Sequence, residues 1–115
     1  MSQRLNIYGE PIYPCSLQNL TGWARNGYCD YDPNDNGSHL VCGRVTNDFL
    51  KFTYEKGNNL YSLGLKEGDF WCFCVGRWIE AYNYNPSIAP KLKLESTDIK
   101  VLDYISSSLL LQYRI

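Results

Sequence analysis

The sequence predicts an α+β fold. The expected form is a small single domain over residues 1–115, with a short mixed sheet, two to four short helices and a long ordered N-terminal loop region. Three observations carry this. Strand-like apolar runs occur at residues 40–45 and 70–75, and a helical pattern follows each. A third stretch alternates Leu92 and Leu94 with Lys91, Lys93 and Glu95, the period of a half-buried strand. The order of these pieces lacks the regular strand–helix alternation of a parallel sheet.

Each element has a local reason. Residues 1–38 hold no sustained period and are punctuated by glycine and proline, yet Tyr8, Tyr13, Trp23, Tyr28 and Tyr31 recur through them. Such aromatic content predicts an ordered loop rather than a disordered tail. After the first strand, Thr46 is placed to cap a helix whose first turn holds Asp48, and Gly57 is placed to end it. The turn around Gly64 and Gly68 leads into the second strand. A second helix is expected over residues 77–84, burying Trp78, Ala81 and Tyr82, before Pro86 and Pro90 break the chain. Thr97 is placed to cap a short helix carrying Ile99, Leu102 and Ile105, and Ser106 or Ser107 a last turn.

Composition bounds the function. At 115 residues the chain matches one core, and roughly two thirds of its unfolded surface can be buried without a metal or cross-link. The formal net charge of −1 argues against nucleic-acid binding, which needs a basic face. No apolar run is long enough to span a membrane. The first residues lack the apolar segment of a signal peptide. The expectation is therefore a cytoplasmic protein (virion or host cytoplasm for a viral chain) in a reducing compartment, where disulfides are rare.

Five cysteines and one histidine are the reactive groups. The five are Cys15, Cys29, Cys42, Cys72 and Cys74, an odd number, so one thiol stays unpaired within a single chain. On a strand, Cys72 and Cys74 share one face. They read as small buried residues, as thiol chemistry, or with Cys42 or His39 as part of a zinc site. His39 and Cys42 suggest a base and nucleophile, but on one strand residues three apart face opposite sides. The segment from Asp32 to Gly37 resembles half of a calcium loop. It lacks the closing glutamate, because Gly43 stands there, and it reads instead as an Asx-type turn. Arg25 and Arg77 are able to grip a carboxylate or phosphate.

These pieces together resemble a small, mostly bacterial family, domain of unknown function 2237. The specific stretch is Gly64-Leu65-Lys66, Gly68-Asp69, Trp71-Cys72 and Cys74, followed by Arg77-Trp78. Pro14-Cys15, Thr21-Gly22, Arg25, Cys29, Asp35, Gly37, His39 and Cys42 match ahead of it. The resemblance implies a compact cytosolic domain and carries over no established activity. It raises the standing of His39, the cysteines, Arg25 and Arg77. The segment between Leu60 and Gly64 is shorter than the family's usual loop.

Three readings follow. In the first, a pocket binds a small anionic ligand. His39, Cys42, Cys72 and Cys74 are its catalytic candidates, and Arg25, Arg77, Asp35 and Trp71 its ligand-binding candidates, with no cofactor. In the second, the chain is a non-catalytic interaction module, a homo-oligomer among its forms, with buried cysteines. In the third, Cys42, Cys72 and Cys74 hold structural zinc. Neither nucleic acid nor membrane is an expected partner. If oxidised, Cys15–Cys29 is one pair to consider.

Overall fold

A computed structural model describes residues 4–115. Its centre is one antiparallel pair of strands, β1 (Val41–Arg44) and β2 (Phe70–Phe73). The register sets Val41 against Phe73, Cys42 against Cys72, Gly43 against Trp71 and Arg44 against Phe70. Among the described residues three α-helices accompany the pair: α1 (Asn47–Glu55), α2 (Val75–Tyr84) and α3 (Ser107–Gln112). The class is α+β.

The sheet is not mixed. Leu92 reaches β1 through one bridge to Gly43 and reaches Arg114 through another, but no third strand forms among the described residues. Two local causes are visible. Pro90 has no amide to extend a ladder, and Leu94 already lies in a one-turn 3-10 helix (Leu94–Ser96).

The helices follow their caps. The Thr46 hydroxyl accepts from the Phe49 amide at 3.1 Å, and Gly57, at φ 92°, follows the last turn of α1. That helix buries Phe49, Leu50 and Phe52. Helix α2 starts two residues earlier than its apolar pattern suggests, because the chain turns directly out of β2 at Cys74, its N-cap. It buries Val75, Trp78 and Ala81, and the Trp78 indole N–H is satisfied by the Pro90 carbonyl at 3.0 Å. Tyr82 stays half-buried, stacked on Trp78. Ser106 caps α3.

Thr97 does not cap the helix after it. Asp98 does, accepting from the Lys100 amide at 2.9 Å. The Thr97 hydroxyl is committed elsewhere: it accepts from the Cys42 amide at 3.1 Å and donates to the Lys93 carbonyl at 3.0 Å. The Thr21 hydroxyl does the same service for Cys72, accepting from its amide at 2.9 Å. Both paired cysteines thus aim their amides away from the partner strand, as in a non-hydrogen-bonded antiparallel pair. A buried threonine meets each.

The N-terminal third is not one long loop. It is cut into short tied pieces by bridges at Leu5–Pro11, Asn6–Asp98 and Cys29–Thr97. Buried Asp98 holds two of them. Its carboxylate takes both Arg4 Nε (3.0 Å) and Arg4 Nη2 (2.8 Å), and accepts the Tyr31 amide at 2.8 Å. Two disulfides complete the attachment. They join Cys15 to Cys42 and Cys29 to Cys72, not Cys15 to Cys29. These four cysteines form a buried cluster of their own, beside two larger apolar clusters centred on Trp78 and on Phe49. No helix among the described residues is long and apolar enough to cross a membrane.

Thr97→Val keeps the shape of a buried side chain but strands the Cys42 amide and the Lys93 carbonyl. The expected cost is about 1–3 kcal/mol in urea unfolding, the usual penalty for a buried polar group left without a partner. A loss within experimental error would mean that water replaces the hydroxyl.

Candidate functional site

The reactive groups meet where the first strand begins and the second ends. The chain enters β1 through a tight loop. The Asp32 carboxylate accepts the Asn34 amide at 2.8 Å, the expected Asx-type turn, and the Asp35 amide donates to the Asp32 carbonyl at 2.9 Å. The Asp35 carboxylate then folds back over the loop. It accepts the Gly37 amide at 3.1 Å and the His39 amide at 2.8 Å. It also accepts from His39 Nδ1, at 2.8 Å to Oδ1 and 3.0 Å to Oδ2.

With Nδ1 donating to Asp35, the other ring nitrogen is free to face sulfur. His39 Nε2 lies 3.2 Å from Cys74 Sγ. Cys74 is the one free cysteine, half-buried at the start of α2. A thiol, an imidazole and a carboxylate therefore stand in line. The loop and helix are tied together, since the Val75 amide donates to the Ser38 carbonyl at 3.1 Å.

Charge follows from this order. His39 is raised from 6.5 to about 9, first by its hydrogen bond to Cys74, against the opposing cost of burial, with further contributions from the charges of Cys74 and Asp35. The ring is thus cationic at neutral pH and has an N–H for each neighbour. Its side chain keeps 31% exposure against 1% for Asp35, so the carboxylate orients the ring from within and the ring stays reachable.

Space is tight at Gly37. A Cβ there would sit 3.0 Å from His39 Cε1 and 3.2 Å from Cys74 Sγ. The two non-glycine residues with positive φ among those described, Ser38 (51°) and Arg25 (55°), both border this region. Such strain costs of order 1–3 kcal/mol per residue and gathers at functional sites.

Cys74 opens onto two depressions. One, of about 200 Å³, is lined by Arg25, His39, Asn58, Leu60, Trp71 and Cys74. The other, shallower and about 510 Å³, is lined by Gly37, Ser38, Cys74, Arg77 and Tyr104 among others. The Arg25 guanidinium lies 5.3 Å from the centre of the Trp71 ring, at the first depression. Arg77 lies at the second and is engaged, donating to the Lys56 carbonyl and to Glu80, each at 3.2 Å.

The structure divides the candidates read from sequence. His39, Cys74, Arg25 and Trp71 share one depression. Asp35 lies behind His39 as its hydrogen-bond partner, and Arg77 sits on the other side of Cys74. Cys42 and Cys72 are fully buried in disulfides, so neither has a thiol to offer. His39 therefore faces Cys74 rather than Cys42. The line from Asp35 through His39 to Cys74 was not apparent as a unit. Its signal was the pairing of two strands, which brings a residue before the first against one after the second.

The single histidine makes the ion pair measurable. An NMR titration of His39 should show proton release near pH 9, falling towards 6.5 in Cys74→Ala, because Cys74 supplies the largest upward cause. The sign for stability follows. A raised folded value adds stability that is fully present below about 6.5 and lost as pH rises through about 9. The melting temperature of the wild type relative to His39→Gln should fall across that window. Release near 6.5 in the wild type would remove the ion pair.

No curated protein matches the chain. Residues 5–114 match the family described as an uncharacterized protein conserved in bacteria, domain of unknown function 2237, and the chain belongs to that family.

Proposed function

We propose that the protein is a thiol-dependent enzyme acting on a small anionic substrate with an electrophilic carbonyl. The observation that carries this reading is the line Asp35–His39–Cys74, with sulfur and imidazole 3.2 Å apart at the edge of a cavity. Cys74 is the nucleophile. His39, protonated in the resting site, gives its Nε2 proton to the leaving group. Asp35 is a positioning residue that fixes the ring and its tautomer.

The steps are those of acyl transfer. Cys74 Sγ forms a bond to the carbonyl carbon while the bond to the leaving group breaks, and His39 protonates that group as it departs. The thioester is then attacked by water or by an acceptor, whose proton His39 takes. Sulfur leaves and the starting state returns. A cavity of about 200 Å³ fits a small acyl group. The Arg25 guanidinium at the same cavity has no acidic partner among the described residues, which suits it to a carboxylate or phosphate on the substrate.

The second reading, an interaction module, is favoured by six exposed apolar side chains in the N-terminal third: Leu5, Tyr8, Tyr13, Leu17, Leu20 and Trp23. It predicts a stable oligomer in light scattering and an inert Cys74.

The distinguishing experiment is alkylation of the oxidised protein at pH 7 with iodoacetamide, mapped by mass spectrometry. Cys74 should react, and His39→Ala should slow it about tenfold or more by removing the imidazolium beside the sulfur. Gly37→Ala should slow it too, by pushing the ring from the sulfur. Equal rates in wild type and His39→Ala, with melting temperatures preserved, would sink the catalytic reading.

A further inference from the structure

The cluster of four other sulfurs has no part in that chemistry. Cys15, Cys29 and Cys42 have their Sγ atoms all within 4.8 Å of one another, and Cys72 Sγ is bonded to Cys29. Four sulfurs from four separate segments thus meet at one buried point. We propose that this cluster is a redox-gated zinc site: two disulfides when oxidised, and a tetrathiolate cage for one Zn²⁺ when reduced.

Geometry supports the second state. With a Zn–S bond of about 2.3 Å, the sulfurs of a tetrahedral site lie about 3.8 Å apart. The Cys15, Cys29 and Cys42 sulfurs lie within 4.8 Å of one another, and Cys72, bonded to Cys29, joins them by side-chain rotation once the two S–S bonds open. Cys42 and Cys72 are fixed opposite each other in β1 and β2, with the Thr97 and Thr21 hydroxyls on their amides. Cys29 is held by its bridge to Thr97, and the Cys15 amide by the Gly27 carbonyl at 2.7 Å. All four are at most 2% exposed, which leaves no open coordination position and marks the site as structural.

Chemistry supports it as well. Two equivalents of a dithiol reductant open both disulfides, supply four electrons and four protons in all, and themselves become disulfides. The result is four adjacent buried thiols. Zn²⁺ then binds as the four protons leave, so the site keeps the N-terminal segments attached after their covalent links are gone. Oxidation runs in reverse and releases the metal. Cys74 is excluded by its place: it faces His39 and the cavity rather than the cluster. The set differs from the Cys42, Cys72 and Cys74 grouping suggested by strand spacing.

The test uses Co²⁺ as a probe on the full chain, reduced anaerobically with a phosphine. One Co²⁺ per chain should bind with intense thiolate-to-metal absorption and tetrahedral bands, and one equivalent of Zn²⁺ should displace it. Cys74→Ser should keep the spectrum, Cys42→Ser should lose its four-thiolate form, and the oxidised wild type should show none. Because Cys42→Ser removes a core contact, thiol counting on the reduced wild type provides a second measure. With zinc bound, one cysteine should alkylate rapidly, and all five after chelation. Reduced protein that takes up no metal, five thiols alkylated equally fast with zinc present, or loss of the spectrum in Cys74→Ser would each overturn the proposal.

Discussion

The pairing of Cys42 with Cys72 is the contact on which the rest of this molecule depends. These residues face each other across the two strands, and each is bonded through sulfur to a different N-terminal segment. Their amides point outwards and are met by Thr97 and Thr21. One cross-strand pair therefore organises four segments through two S–S bonds and two hydrogen bonds. With one short sheet among the described residues, covalent ties replace the ladder bonds that a larger sheet would supply. Such ties act mainly by restricting the unfolded chain, and loops of 27 and 43 residues place each in the usual range of about 2–4 kcal/mol.

The same register builds the candidate site. An antiparallel pair brings the start of one strand against the end of the other. Val41 faces Phe73, so His39, two residues before β1, and Cys74, one residue after β2, come out together at that end. The hydrogen bond from Val75 to Ser38 continues the approach beyond the last pair. Asp35 reaches His39 because the intervening loop turns tightly through Gly37 and a left-handed Ser38. The strain at Ser38 is offset by three hydrogen bonds to the Asp35 carboxylate. The site is thus held by the end of a strand pair, the start of α2 and a loop tied by its own hydrogen bonds, which favours a fixed distance between sulfur and imidazole.

How much of this the sequence contained depends on the range of the interaction. Local signals were legible. The two strands, the Thr46 cap, Gly57 after α1 and the Asx-type turn all rest on neighbours within a few residues. Thr97 shows where such reading stops. By pattern it is a good cap, yet its hydroxyl is taken by Cys42, 55 residues away. Asp98 gathers Arg4 and Tyr31 from the far end of the chain, which no local pattern announces. The cysteine pairing is the strongest case. Spacing made Cys15 and Cys29 equivalent candidates for each other, but strand register assigns each to a different strand. Had the two strands been paired antiparallel from the outset, the meeting of His39 with Cys74 would have followed from counting outwards.

The odd cysteine count then acquires a physical meaning. Four sulfurs lie at the centre, where burial and mutual proximity suit them to bonds with each other or with a soft cation, and where no substrate can reach. The fifth lies one residue past the end of the pairing, too far along the strand to join them and partly open to solvent. It also has the imidazole that the other four lack. Reactivity in a thiol requires both access and a neighbour that stabilises its anion. Cys72 lies inside β2 among the other sulfurs, whereas Cys74 lies one residue beyond the strand as the N-cap of α2, against His39. A displacement of two residues along the chain separates a sulfur locked in a disulfide from a free thiol beside an imidazole.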